Sequence, residues 1–213
     1  MNELPLVSIA IPAFNPEFFS RALHSAITQR YANVEVVVCD DSQGDEIKAI
    51  FDLWAGQATC ALRYVRNPST LGFSRNVLMC LEQAQGEFIK FLCDDDWLVS
   101  DCIAQSVQVM LDCPDVNVLV HHRLICAADE TLLPMRPANC MISPSSAVIN
   151  GGDLLEALES SLPNLFGGIS HALVRRARFR HCCRNWCRTA RAFARVWSRH
   201  CSSACCAMAI WLT

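Results

Sequence analysis

Three consecutive carboxylates, Asp94-Asp95-Asp96, directly follow an apolar run, EFIKFLC, at residues 87–93. Adjacent carboxylates repel one another unless water or a cation neutralises them. Hard divalent ions take such oxygen donors, and Mg²⁺ is commonly held by one or two carboxylates together with substrate phosphates. The competing reading is a solvated turn ahead of the next helix. Asp40-Asp41-Ser42 repeats the pattern after VEVVVC at residues 34–39. A carboxylate there can accept hydrogen bonds from a ribose or a base edge, or Ser42 and Asp45 can simply cap a helix. In Asn67-Pro-Ser-Thr-Leu-Gly-Phe-Ser-Arg-Asn76, Gly72 permits a tight turn and Arg75 emerges at a helix start, where anions are favoured. An ordinary salt bridge explains Arg75 equally well.

These groups need elements to place them. Residues 6–12, 34–39, 61–66 and 87–93 are short apolar runs rich in β-branched or aromatic residues, and they read as strands. Between them, residues 16–29, 45–55 and 74–85 carry apolar positions at helical spacing, with Pro16 in a first turn and Ser74 as the expected N-cap. A helix over 101–111, a strand over 116–123, an irregular proline-bearing stretch, a helix over 151–160 and a strand over 168–174 complete the expectation. Strands alternating with helices predict an α/β fold with a mostly parallel sheet and helices on both faces. Ligands of such sheets lie beyond the carboxyl ends of the strands, near a topological switch point. Asn15, Asp40-Asp41 and Asp94-Asp95-Asp96 all fall at such ends.

The net charge of −3 conceals an asymmetry in the 213 residues. Residues 1–174 hold all 21 acids and 9 of the 18 basic residues, whereas residues 175–213 hold nine arginines and no acid. Of the 14 cysteines, eight lie in residues 1–140, mostly within apolar runs. Cys39, Cys80, Cys93 and Cys126 read as small buried hydrophobes in a reducing compartment. MNELPLVSIAIPAFN lacks the basic region and cleavage site of a signal peptide. No stretch reaches the roughly 18 apolar residues of a membrane span. The expected location is cytoplasmic, with peripheral membrane contact left open.

The succession VSIAIPAFN, VEVVVCDDS, NPSTLGFSRN and GEFIKFLCDDDWL resembles the family 2 glycosyltransferases over nearly all of residues 5–101. The resemblance implies a GT-A, Rossmann-like fold, a nucleotide-diphosphate sugar as donor and a divalent cation, Mn²⁺ or Mg²⁺. It implies that Pro12, Ala13, Phe14 and Asn15 line the nucleotide pocket and that Asp41 meets the uracil or ribose. Arg75 would lie near the nucleotide or diphosphate. The acidic cluster corresponds to the family's Asp-x-Asp motif with its first acid replaced by Cys93, read as a strand residue pointing into the core. Asp95 then becomes the chief metal ligand, supported by Asp96, with Asp94 as its nucleotide-side partner. The implied chemistry is inverting transfer of the sugar to an acceptor hydroxyl, the acceptor being a glycan or a lipid-linked sugar. No nucleic-acid partner is expected.

The same resemblance requires a carboxylate base in the acceptor-binding part, and none is found. Phe166-Gly-Gly-Ile-Ser170 matches the strand that should precede it, but no Asp or Glu follows Arg175. Asp153, Glu156 and Glu159 precede that strand and read as a solvated helix face. Residues 1–179 are therefore expected to form a GT-A domain with an incomplete acceptor part, followed by a basic, Cys-rich tail at 180–213. The favoured reading of that tail is an aberrant or out-of-frame C-terminus, so that donor binding survives while transfer fails. Two others stand beside it. One is a zinc site among His181, Cys182, Cys187, His200, Cys201 and Cys205. The other is a basic amphipathic segment anchored by Trp186, Phe193 and Trp197, which would make the chain a non-catalytic module docking on a membrane or nucleic acid.

Overall fold

A computed structural model of the chain describes residues 3–127, 129, 131–133, 146–150, 153 and 168–178, together with the backbone of residues 207–211. The first half alternates as expected: β1 (Val7–Ala13), α1 (Pro16–Ile27), β2 (Val34–Asp40), α2 (Glu46–Ala55), β3 (Ala61–Arg66), α3 (Phe73–Gln83) and β4 (Phe88–Phe91). Then come α4 (Cys102–Asp112), β5 (Val116–His121), β6 (Ala147–Asn150), a single 3-10 turn at Ile169–His171, β7 (Ala172–Arg175) and β8 (Ala207–Trp211). They form one sheet in the order β3-β2-β1-β4-β7-β5-β8-β6.

Strands β3, β2, β1 and β4 are parallel, and β7 runs antiparallel between β4 and β5. Every residue of β1, β2 and β4 is buried, as befits strands covered on both faces. On one face Val7, Ile9, Ile11, Phe88 and Leu92 pack against Phe19 and Leu23 of α1, Ile47 of α2, and Ile103 and Met110 of α4. On the other, Ala10, Val37, Ile89 and Phe91 meet Val77, Cys80 and Leu81 of α3. The side chains alternate because a strand has a period of two, so both helical layers are addressed by the same three strands. Gly86, just before β4, passes so close to β1 that a Cβ there would sit 2.6 Å from the Ser8 amide nitrogen.

Several expectations are corrected. The helix after the Gly72 turn begins at Phe73 with Gly72 itself at the cap, so Ser74 lies inside the first turn. The stretch expected as a strand over 168–174 is a 3-10 turn followed by a shorter strand, because His171 and its neighbours fold back before joining the ladder. The sequence reading did not anticipate β6 or β8. Except for Asp153, the helix expected over 151–160 lies outside the described residues, as do the side chains expected to bind zinc or to anchor the tail. No described helix is long and apolar enough to cross a membrane.

Candidate functional site

The sheet reverses direction of growth between β1 and β4. From β1 the chain adds β2 and β3 on one side, then returns to place β4 on the other. The loops leaving the carboxyl ends of β1 and β4 part at that point, and the resulting crevice is where α/β sheets bind ligands.

Asp94 spans the crevice. Its Oδ2 accepts the backbone amides of Phe14 at 2.6 Å and Asn15 at 2.7 Å. Asn15 in turn caps α1, its Oδ1 accepting the Glu17 amide at 3.1 Å, with Pro16 in the first helical turn. The residue expected to assist the nucleotide therefore uses one oxygen to hold the β1 loop. Phe14 and Asn15 are exposed, whereas Pro12 and Ala13 are buried and contribute backbone only. The Ala13 carbonyl accepts the Asp41 amide at 2.9 Å, joining the ends of β1 and β2.

Asp41 is turned inward. Its Oδ1 accepts from Asn67 Nδ2 at 2.8 Å and the Leu71 amide at 2.7 Å, and its Oδ2 from the Gly72 amide at 2.8 Å. One carboxylate thus shapes the loop that delivers α3. Gly72 has φ +83 and ψ 158, backbone territory essentially reserved for glycine. Asn76, which the sequence reading did not single out, is buried and ties this loop to the sheet. Its Nδ2 donates to the Cys39 and Ala13 carbonyls, and its Oδ1 accepts from Asn67. The helix-capping alternative at this strand end is not what forms. Asp45 makes no capping bond, and its carboxylate pairs with Arg66 at 2.5 Å.

Past β4 the chain turns tightly, the Asp96 amide donating to the Cys93 carbonyl at 3.2 Å. Cys93 is not a strand residue directed wholly into the core. Its flank packs on the α3 side, but its sulfur and one oxygen each of Asp95 and Asp96 lie within 4.8 Å of one another. A divalent ion about 2.0–2.6 Å from each donor fits that spacing. The set is two hard carboxylates and one soft thiol, so it suits a divalent cation, with Cys93 its weakest partner for Mg²⁺. Partial burial and then the neighbouring Asp96 raise the Asp95 carboxyl, and burial pushes the Cys93 thiol up to about 12. Arg75 stands exposed in the first turn of α3, and its guanidinium makes no salt bridge among the described residues.

Beneath the acidic turn lies a polar cluster that the sequence reading missed. Lys90 of β4 is fully buried and donates to the Ser170 carbonyl and to His121 Nε2. His121 Nδ1 faces the His122 carbonyl at 2.9 Å, so Nδ1 carries the hydrogen and Nε2 is the acceptor. His171 is arranged alike, with Nδ1 at 2.6 Å from the Gly168 carbonyl and Nε2 at 3.4 Å from Arg123 Nη1. Burial lowers His121 to about 3 and His171 to about 4, so both rings are neutral. The available signal was a lysine inside an otherwise apolar strand, FIKFLC.

An acidic turn at a switch point, an exposed arginine with no salt bridge among the described residues and two pinned loops line this crevice. The model for glycosyl transferase family 2 matches residues 8–160. This chain belongs to glycosyl transferase family 2. Among its family relatives is GalNAc(5)-diNAcBac-PP-undecaprenol beta-1,3-glucosyltransferase of Campylobacter jejuni, 28% identical over 106 residues, covering 49% of this chain and 34% of that one. The structure of S. aureus TarS 1-349 in complex with UDP superposes with a TM-score of 0.68 at 15% identity, covering 98% of this chain and 60% of that one. Mannosyltransferase PcManGT from Pyrobaculum calidifontis, in complex with GDP-Man and Mn²⁺, gives a TM-score of 0.51 at 24% identity over 64% of this chain and 37% of that one. The fold shared with these structures is GT-A. The chain spans less than half the length of the curated relatives it matches.

Proposed function

We propose that the chain binds a nucleotide-diphosphate sugar with a divalent cation, as the donor-binding part of an inverting glycosyltransferase acting on an acceptor hydroxyl. The observation that carries this reading is the Asp94 bridge across the β1–β4 crevice, which leaves Asp95 exposed and Asp96 half-buried beside it. Asp95 and Asp96 would hold the cation, with Cys93 in reach. The cation would supply Lewis-acid stabilisation of the diphosphate as it leaves. Arg75 would pair with diphosphate oxygens, a contact for which its guanidinium is free among the described residues. Phe14 and Asn15, exposed at the crevice rim, would contact the nucleotide, and Asp41 would shape the base side through the 67–72 loop.

Transfer needs a base for the acceptor proton. Residues 175–213 hold no Asp or Glu that could serve, so we assign donor binding to this chain and no transfer base to those residues. Residues 1–179 are the body of the working domain in this reading, and 180–213 a basic segment whose strand β8 joins its sheet between β5 and β6. The acceptor would be a glycan or a lipid-linked sugar, the latter in keeping with the name of the Campylobacter relative. We place the protein in the cytoplasm, at the membrane surface when its acceptor is lipid-linked. The free thiols of Cys39, Cys60, Cys80, Cys93, Cys102, Cys113 and Cys126 suit that reducing compartment.

Titration calorimetry of the full chain with UDP and GDP, with Mn²⁺ or with a chelator, tests donor binding. Binding that requires the metal is expected. Failure of both nucleotides to bind with Mn²⁺ present would sink the reading.

A further inference from the structure

Lys90 occupies a position that an aliphatic residue would fill more cheaply. It lies between Phe88 and Leu92 on the face of β4 that packs on α1 and α4, and it is 0% exposed. Its ammonium makes no salt bridge among the described residues. Its hydrogen bonds go to neutral acceptors, the Ser170 carbonyl and His121 Nε2. His121 stays neutral beside it, because burial and the adjacent Lys90 charge disfavour a second cation. A buried cation with no ion-pair partner among the described residues costs stability, so its presence calls for a role other than holding the core together.

The geometry supplies that role. Ser170 is buried in the 3-10 turn that opens β7, and it is gripped twice. Its carbonyl takes Lys90, and its hydroxyl accepts the Cys93 amide at 2.9 Å. Cys93 begins the acidic turn that carries Asp95 and Asp96. The ammonium thus sits under the junction between that turn and the start of β7. Its charge is felt by Asp96 without a direct ion pair.

We propose that Lys90 is a positioning residue for the metal–diphosphate site. Through Ser170 it fixes the Cys93 amide and hence the direction of the acidic turn, and its buried charge lies beneath the place where a diphosphate would bind. This rests on the donor-site reading above. Outer-shell groups of this kind are as consequential as the ligands they orient.

The test uses Lys90→Met in the full chain, which keeps the length of the side chain and removes charge and both hydrogen bonds. Two results are expected together. Thermal stability without ligand is unchanged or raised, because a buried charge has gone, while Mn²⁺-dependent UDP affinity falls roughly tenfold. A residue that merely supported the fold would instead lower the melting temperature. Independently of any nucleotide, hydrogen exchange at the Cys93 amide is expected to quicken in K90M. Unchanged Cys93 exchange overturns the proposal even if UDP fails to bind the parent chain, and undiminished UDP affinity overturns it where the parent binds. Should K90M not fold, K90L removes the same charge and hydrogen bonds and reads the same link. Faster Cys93 exchange with weaker UDP binding supports the proposal, and wild-type values for both refute it.

Discussion

Asp94 Oδ2 lies 2.7 Å from the backbone nitrogen of Asn15, so an acid from the end of β4 holds the first turn of α1 in place. Its neighbour Asp95 is exposed and, among the described residues, holds no amide of the β1 loop. Two adjacent carboxylates therefore have separable duties. Asp94→Ala should cost about 1–2 kcal/mol of folding stability in urea unfolding, the value of charge-assisted bonds at a partly wet site. Asp95→Ala should change stability by less than about 0.5 kcal/mol yet remove Mn²⁺ binding. Equal stability losses would show that the turn, not the individual carboxylates, sets both properties.

Arg75 is exposed and makes no salt bridge among the described residues, so deleting it should leave the fold alone. Arg75→Ala is expected to keep the melting temperature and weaken UDP binding roughly tenfold, the value of one charge-assisted contact. A drop in melting temperature with UDP affinity intact would assign the side chain to structure instead.

Cys93 has its sulfur within 4.8 Å of the Asp95 and Asp96 oxygens. Cys93→Asp adds another negative charge to a crowded turn, so the metal-free protein should melt lower. With Mg²⁺ or Mn²⁺ present the same variant should gain more stability than the parent, since a harder donor set binds these ions more tightly. Differential scanning fluorimetry across a metal titration measures both halves. A metal-induced gain no larger than the parent's would mean that position 93 does not reach the ion.

His121 and His171 give stability an acid limb. Both are held below their ordinary value of 6.5, to about 3 and about 4, chiefly by burial. In that range the unfolded chain binds protons that the fold cannot, so stability is full above pH 6.5 and falls as pH drops towards 4 and 3. Lys90, Cys102 and His122 surround His121, and Arg123 faces His171, so no described neighbour of His121 offers a carboxylate that would rescue its charged form. Urea unfolding at pH 7.5 and pH 5 should show the loss, and His121→Asn should reduce it. A pH-independent midpoint across that window would contradict the buried, neutral assignment.

Gly72 provides a backbone test. Its φ of +83 with ψ 158 is strained for any other residue, and its amide donates to Asp41. Gly72→Ala should cost about 1–3 kcal/mol. Because the 67–72 loop leads into α3, the same change should weaken nucleotide binding more than Arg75→Ala does.

The sequence by itself determined the alternation of strands and helices through Gln83, the parallel core, and the carboxyl-end placement of Asn15, Asp41 and the acidic cluster. Those features are written locally, in periodicities of two and 3.6 residues and in polar residues that interrupt apolar runs. The tertiary structure decided what each polar group does. Asp94 and Asp95 are neighbours of the same type, and only the return of β4 beside β1 commits one to the amides of the β1 loop and leaves the other exposed. Asp41, a carboxylate at a strand end, is spent on a loop thirty residues later. Lys90 looked like an incidental lysine in FIKFLC, because the partners that give it meaning, Ser170 and His121, are distant in sequence and brought close by β7 and β5. A hydrogen bond's partner is a long-range fact, and no local pattern encodes it.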